Sequence, residues 1–327
     1  LFAGISGSAV ADASAIGKML IPAMEQNGYR RSFAAAVTAA AAVIGPIIPP
    51  SGIMVLYGFV MNLSIGALFA AGIVPGILIG LGLMGVTRWL AKRHGLPVAS
   101  AKATWRERGH ALKGAWLALL MPVVLLGGML SGIFTATEAA AVAASYALFV
   151  TLFVVKTLDF AEMRRVFVAT ALQSSVILLL VGAAVTLGWL ATVSGMAEQI
   201  AVGLLKLSDD PLVLLFLVNM LLFVVGMFLD AGPAILILGP VLSPVFTGMG
   251  VDPVHFAMIM CVNLTVGLAT PPMGLVLFVT ASVSGERVGA IVKDIVPFLA
   301  VEIAVIFLIT YFPALTLTVP RLFGLMQ

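Results

Sequence analysis

Ionisable side chains are rare in this chain. Asp, Glu, Lys and Arg make up 9% of its 327 residues, where a soluble domain carries about 25%. That shortage excludes an ordinary water-soluble fold. The single cysteine, Cys261, excludes an intramolecular disulfide, and its apolar surroundings suit a small packing residue. The three histidines form no cluster with cysteine or carboxylate at metal-ligand spacing. His94 and His110 fall in a basic, solvated stretch, and His255 starts a helix near the outer surface where no metal is expected. HExxH, P-loop and GxSxG patterns are all absent. No nucleophile–base pair stands at workable spacing, so the chain does not read as an enzyme. The net charge of +3 is small. The basic pI reflects where lysine and arginine sit, and implies no nucleic-acid partner.

What the chain has is apolar length. It is 62% hydrophobic, with a mean hydropathy of +1.20, and many runs approach or exceed the ~20 residues that cross a bilayer. Apolar segments lie near 33–59, 66–91, 114–131, 138–156, 166–193, 212–228, 233–247, 254–283 and 289–319. The lipid bilayer is therefore the first expected partner. Helix starts are marked by capping-box patterns at Thr135/Glu138 and Asp159/Glu162. They are also marked by Asp209-Asp210-Pro211 and Asp252-Pro253, acids at N-cap positions with proline at N1.

A segment recurs 222 positions downstream. Gly45-Pro46-Ile47-Ile48-Pro49-Pro50-Ser51-Gly52 returns as Gly267-Leu268-Ala269-Thr270-Pro271-Pro272-Met273-Gly274. The same offset pairs Gly4 with Gly226, Gly17 with Gly239, Pro22 with Pro244 and Ile73-Val74-Pro75 with Ile295-Val296-Pro297. Across Gly4 to Gly76, 14 of 73 positions are identical, and internal identity at a fixed offset marks a structural repeat. The second copy has an apolar run, Leu212 to Gly226, upstream of the residue matching Gly4. The first copy has nothing there, so a preceding N-terminal segment is expected.

Loop charge sets an orientation. Arg88, Lys92, Arg93, Lys102, Arg106, Arg108 and Lys113 place seven of the 17 Lys and Arg between 88 and 113, which puts that loop on the cytoplasmic side. The short runs 212–228 and 233–247, flanking Asp230, read as a re-entrant hairpin. Arg30 and Arg31 occupy the turn before 33–59, whereas the counterpart 245–254 has no Lys or Arg. The turn 60–65 has none, whereas its counterpart carries Arg287. Basic residues that change ends between copies indicate an inverted repeat. The resulting division is a first repeat (1–93) and a basic loop (94–113), then scaffold spans with a connector (114–211) and a second repeat (212–327).

Pro49-Pro50 and Pro271-Pro272 must interrupt their helices, because proline has no N–H and crowds the preceding turn. The interruption frees carbonyls and N–H groups at membrane depth, where they must face protein or water. Free carbonyls suit Na⁺, and the N-terminus of the following half-helix suits an anion. The hairpin tips add Ser6, Ser8 and Asp12 in one copy and Asp230 in the other. An intramembrane acid is a functional candidate by default, with a helix cap as the plainer reading. Asn263 and Thr265 could serve the second break or bond to neighbouring helices. Glu302, inside the last span, could pair with Lys293 or with another subunit, or take part in coupling.

The motifs Gly4-Ile5-Ser6-Gly7-Ser8-Ala9-Val10-Ala11-Asp12, Gly45-Pro46-Ile47-Ile48-Pro49-Pro50-Ser51, Gly226-Met227-Phe228-Leu229-Asp230 and Thr270-Pro271-Pro272-Met273-Gly274 occur in an order that resembles the large membrane subunit of TRAP transporters, the DctM-like family. The resemblance covers the whole chain. It implies an all-α membrane protein, an inverted-repeat elevator-type transporter with re-entrant hairpins and two broken helices, in the bacterial inner membrane. It also implies uptake of an organic acid anion with Na⁺ as coupling ion and no other cofactor. A periplasmic substrate-binding protein and a small TRAP membrane subunit are the implied partners. Carried onto this sequence, one Na⁺ site would use Ser6, Ser8 and carbonyls from Gly45 to Pro49, with Asp12 at the same tip. The other would use Asp230 and the segment Thr265, Gly267 and Thr270. The substrate carboxylate would lie near Ser51, Gly52, Met273 and Gly274. The alternatives are a Na⁺/divalent-anion symporter that needs no binding protein and, from another class, a passive anion channel.

Overall fold

The computed structural model describes residues 6–95, 104–206, 208 and 210–326; among these every regular element is a helix. In chain order they are α1 (Ala9–Gln26), α2 (Arg31–Ala42), α3 (Gly52–Val60), α4 (Ile65–His94), α5 (Trp105–Leu130), α6 (Ala136–Phe149, extended by a π-helical turn Val150–Val154) and α7 (Phe160–Val193). Then follow α8 (Met196–Leu205), α9 (Pro211–Phe228), α10 (Ala231–Gly248), α11 (Pro253–Gly267), α12 (Leu275–Ser284), α13 (Val288–Tyr311) and α14 (Ala314–Leu322). Six of the described helices are long and apolar enough to cross a membrane, as a multi-pass integral membrane protein requires.

The helix ends follow local chemistry. Thr135 and Glu138 close a reciprocal capping box on α6, and Asp159 and Glu162 bond each other's backbone N–H at the start of α7. Asp210 accepts from Leu212 N at α9, and Asp252 accepts from Val254 N and His255 N at α11. These bonds satisfy donors that have no partner within the helix. Asp209 lies outside the described residues, as do Gly4, Ile5 and residues 96–103 of the basic loop.

Two segment readings need correction. The basic stretch 94–113 is not all loop. Thr104 and Glu107 form a capping box, so Arg106, Arg108 and Lys113 ride on the first turns of α5. The last apolar run, 289–319, is not one span either. It breaks between Tyr311 and Ala314, and α14 leaves at 65°. Pro313, which has no N–H to continue the α13 ladder, stands at the break. The connector after α7 also contains α8, which was not anticipated.

The chain divides into two compact units, residues 1–98 with 184–327, and residues 99–183. In the second, α5 packs on α6, and the Tyr146 hydroxyl donates to the Leu117 carbonyl at 2.8 Å. Its apolar side chains are largely uncovered: Leu112, Trp116, Val123, Phe149, Phe153 and Leu172 are all exposed.

The first unit holds both proline-bearing segments, and both are interrupted. Residues 43–51 separate α2 from α3, and residues 268–274 separate α11 from α12. Both Pro–Pro bonds are cis. The packing exchanges between halves: α1 lies on α2 and on α12, while α10 lies on α11 and on α3. Each of α1 and α10 thus packs on a helix from both proline-bearing segments. The core is densest around α11, where every residue from Val254 to Gly267 is buried.

Candidate functional site at the two helix breaks

At the first break, α2 ends in turns closed by Gly45 N to Ala42 O and Ile47 N to Ile44 O. Ser51 is buried and caps α3, accepting from Met54 N while donating to the Pro46 carbonyl. Gly45 and Pro49 are buried, whereas Gly52 is exposed at the first turn of α3. Among the described residues, no hydrogen bond reaches the carbonyl oxygens of Gly45, Ile48 or Pro49. Carbonyls without donors are acceptors available to a cation.

The turn Ser6-Gly7-Ser8, just ahead of α1, lies directly on this break. Gly7 has φ +63°, and an added Cβ there would stand 2.7 Å from the Pro50 carbonyl oxygen and 3.4 Å from Gly52 N. Only glycine takes that conformation at no steric cost. Beside it, the Ser6 hydroxyl donates to Asp12 Oδ1 at 2.6 Å and accepts from Ser8 N. Ser8, not Asp12, is the N-cap of α1, its Oγ accepting from Ala11 N. Asp12 is fully buried, and its Oδ2 has no partner among the described residues. The turn therefore touches segment 45–52 through Gly7, with Ser6 and Ser8 flanking that contact and Asp12 bonded to Ser6.

The second break is more fully bonded. The Leu268 carbonyl accepts from Val276 N and the Thr270 carbonyl from Gly274 N. Gly274 has no room for a side chain, since an added Cβ would stand 2.6 Å from both those carbonyl oxygens. Thr265 donates to Cys261 O and Thr270 to Val266 O, each one turn back. Asp230 stands at the N-cap position of α10, yet its side chain makes no cap hydrogen bond. It is exposed and lines a cleft of about 290 Å³ with Met227, Met273 and Phe278. Hence Asp230 and Met273 share one space. The start of α10 also lies near α3: an added Cβ on Gly232 would lie 3.7 Å from Asp230 Oδ2 and 3.7 Å from Leu56 Cδ1 of α3.

Asn263 is engaged elsewhere. Its Nδ2 donates to Asn219 Oδ1 and O of α9. Asn219 in turn donates to Thr310 Oγ1. His255 is buried, with Nδ1 at 2.8 Å from Thr316 Oγ1 and Nε2 at 3.2 Å from the Thr310 carbonyl. This polar chain ties α9, α11, α13 and α14 together. Sequence reading flagged Asn263 but missed Asn219, Thr310 and Thr316, because one buried polar residue in an apolar run does not reveal its partner. It also passed over Gly7 as a contact; the Ser-Gly-Ser pattern was the available signal. Glu302 is fully buried in α13, and no pairing with Lys293 is present: neither of its carboxylate oxygens has a partner among the described residues.

Comparison with known proteins fits this architecture. Residues 1–315 match the family described as tripartite ATP-independent periplasmic transporter, DctM component. The chain is 41% identical over 323 residues to the sialic acid TRAP transporter large permease protein SiaM of Vibrio cholerae, covering 99% of this chain and 75% of that protein. It is 38% identical over 325 residues to the C4-dicarboxylate TRAP transporter large permease protein DctM of Pseudomonas aeruginosa, covering 99% of this chain and 76% of the relative. It is 41% identical over 314 residues to the isethionate TRAP transporter permease protein DctMQ of Oleidesulfovibrio alaskensis, 96% of this chain but 49% of that longer protein. An all-helical membrane chain with two proline-broken helices, matched along nearly its whole length, belongs to the DctM family of TRAP transporter large permeases.

Proposed function

We propose that this chain is the permease of a Na⁺-coupled secondary transporter that imports an organic acid anion across the bacterial inner membrane. The observation that carries the reading is the contact of hairpin tip 1 with break 1, where Gly7 lies against Pro50 and Gly52. The turn that carries Ser6 and Ser8, with Asp12 bonded to Ser6, thus meets the segment whose Gly45, Ile48 and Pro49 carbonyls have no donor among the described residues. Hard cations take oxygen ligands, and a tip on a broken helix supplies carbonyl, hydroxyl and carboxylate oxygens together. On this reading the first Na⁺ site uses Ser6, Ser8, Asp12 and the carbonyls from Gly45 to Pro49. The second uses Asp230 with Thr265, Gly267 and Thr270.

The anion follows from the half-helix starts. Ser51-Gly52 opens α3 and Met273-Gly274 precedes α12, each presenting a positive dipole end toward its break. The relatives named for sialic acid, C4-dicarboxylates and isethionate share an anionic substrate, which supports that class. The exchanged packing of α1 on α12 and α10 on α3 supports two inverted copies carried as one mobile body in an elevator movement. The uncovered apolar helices α5 and α6 suit a scaffold braced by lipid and a small membrane subunit. A periplasmic binding protein would deliver the cargo.

The test is uptake by the reconstituted complex of labelled sialic acid, succinate and isethionate, with and without a Na⁺ gradient and with and without binding protein. Uptake that needs both is expected. Saturable uptake indifferent to Na⁺ rejects the coupling, and unsaturable electrodiffusive current would identify a channel instead.

A further inference from the structure

Glu302 stands apart from both tips. It lies on the buried face of α13 with Phe298, Leu299, Val305 and Ile306. Both of its carboxylate oxygens are buried and unpartnered among the described residues. A charged carboxylate without donor or counter-ion is among the costliest groups to bury, and in a membrane span such a residue marks an ion or proton pathway. We propose that Glu302 is a proton-binding site whose loading and release accompany substrate transport; this rests on the chain being a transporter.

Its surroundings favour a proton over a metal ion. A metal ion needs several oxygen ligands, and Glu302 brings two among apolar neighbours. No group of three or more His, Cys, Asp or Glu able to hold a metal occurs among the described residues. A proton needs one oxygen. Groups that could titrate or bear charge on the packed elements are engaged elsewhere or lie toward helix ends. On α2, Arg31 pairs with Glu25, and the preceding Arg30 pairs with Asp294 at the start of α13. On α4, Arg88, Lys92, Arg93 and His94 fall in the last turns. On α11, His255 bonds Thr310 and Thr316, and Cys261 is buried. On α14 the only charge is Arg321, in its last turn, and α12 has no charged side chain. On α13 itself, Lys293 is exposed near the start and Tyr311 is the last residue. Among the described residues none forms a salt bridge with Glu302.

The position links it to the moving parts. The repeat offset places Glu302 where the first copy has Gly80. An added Cβ on Gly80 would lie 3.9 Å from Ile44, beside the first break. The counterpart of Ile44 is Val266, one residue before Gly267 at the second break. Next to Glu302, Val301 packs tightly on Gly82 of α4. A shift of a helix packed on α13 that admits water lets the acid's O–H bond break, the electron pair staying on the carboxylate and the proton passing to water.

The test uses the full-length permease complex in liposomes containing a trapped pH dye. Sialic acid, succinate or isethionate, whichever is taken up, is added outside with a Na⁺ gradient. The wild type is expected to acidify the lumen in step with uptake, and Glu302→Gln to lower that proton entry at least about tenfold while substrate exchange persists. Na⁺-driven uptake by the wild type with no proton entry overturns the role of Glu302 and leaves the transport reading intact. Equal acidification by Glu302→Gln overturns it as well. Failure of the wild type to take up any of the three anions overturns both. Should Glu302→Gln not assemble, the wild-type measurement still decides, and Glu302→Asp, which keeps the acid, is expected to retain proton entry.

Discussion

Gly226 and Gly267 meet backbone to backbone. A Cβ added to Gly267 would lie 2.6 Å from both Cα and the carbonyl carbon of Gly226, and one added to Gly226 would lie 2.9 Å from the Leu264 carbonyl oxygen. Close approach of two membrane helices through small residues is how they pack without a hydrophobic driving force. Here it fixes the end of α9, just before Asp230, to the end of α11, just before the second break.

Gly267→Ala is therefore expected to lower stability by about 1–3 kcal/mol, because backbone rather than a movable side chain must yield. Gly85→Ala provides the control. Its added methyl would meet nothing within 4 Å, and a helical glycine replaced by alanine gains about 0.5–1 kcal/mol. Thermal unfolding of the purified variants should separate them in opposite directions.

Asp230→Ala should weaken the Na⁺ response without loosening the fold. The carboxylate makes no cap bond to α10, so its removal costs the helix little. Loss of one charged ligand, about 1.5–3 kcal/mol, corresponds to roughly a tenfold or larger rise in the Na⁺ concentration for half-maximal uptake. A Na⁺ titration unchanged from wild type would remove Asp230 from the ion site.

Pro49→Ala combined with Pro50→Ala restores two backbone N–H groups where α2 gives way to α3. The segment can then extend as helix and occupy the carbonyls now free at Gly45 and Ile48. Transport should fall while the protein still reaches the membrane. Uptake at the wild-type rate by well-expressed double mutant would count against those carbonyls as ligands.

Asn263→Ala addresses a different role. Its amide donates to Asn219 Oδ1 at 2.7 Å, so the variant deprives a buried acceptor of its donor. Interhelical bonds of this kind contribute about 0.6–2 kcal/mol in membranes. The melting temperature should fall and the half-maximal Na⁺ concentration should stay put. The reverse pattern would make Asn263 an ion ligand rather than a tether between α9 and α11.

The breaks were legible because proline acts locally. The paired prolines 49–50 and 271–272, followed by glycine within two residues, interrupt their helices, whereas single prolines such as Pro75 and Pro297 lie inside continuous ones, and the caps at Thr135, Asp210 and Asp252 obey the same local rule. The bend at Pro313 obeys it too, yet was read through as span, since apolar composition continues to 319. The start of α5 was masked by charge: Arg106, Arg108 and Lys113 look like loop until Thr104 and Glu107 are seen to cap a helix. Site pairing was less legible. Asp12 and Asp230 could be named as intramembrane acids, but nothing in their order along the chain says that Gly7 rests on Pro50 or that Asp230 shares a cleft with Met273.

Composition, the Gly–Pro spacing and the offset repeat thus sufficed for a helical membrane chain with two interrupted helices, because hydropathy and paired prolines act locally. Packing decided the rest. That α1 lies on α12 and α10 on α3, which carbonyls keep free lone pairs, that Asn263 is held by Asn219 and that Glu302 has no partner among the described residues all depend on side chains distant in sequence meeting in space. Such contacts exist only once the helices have packed.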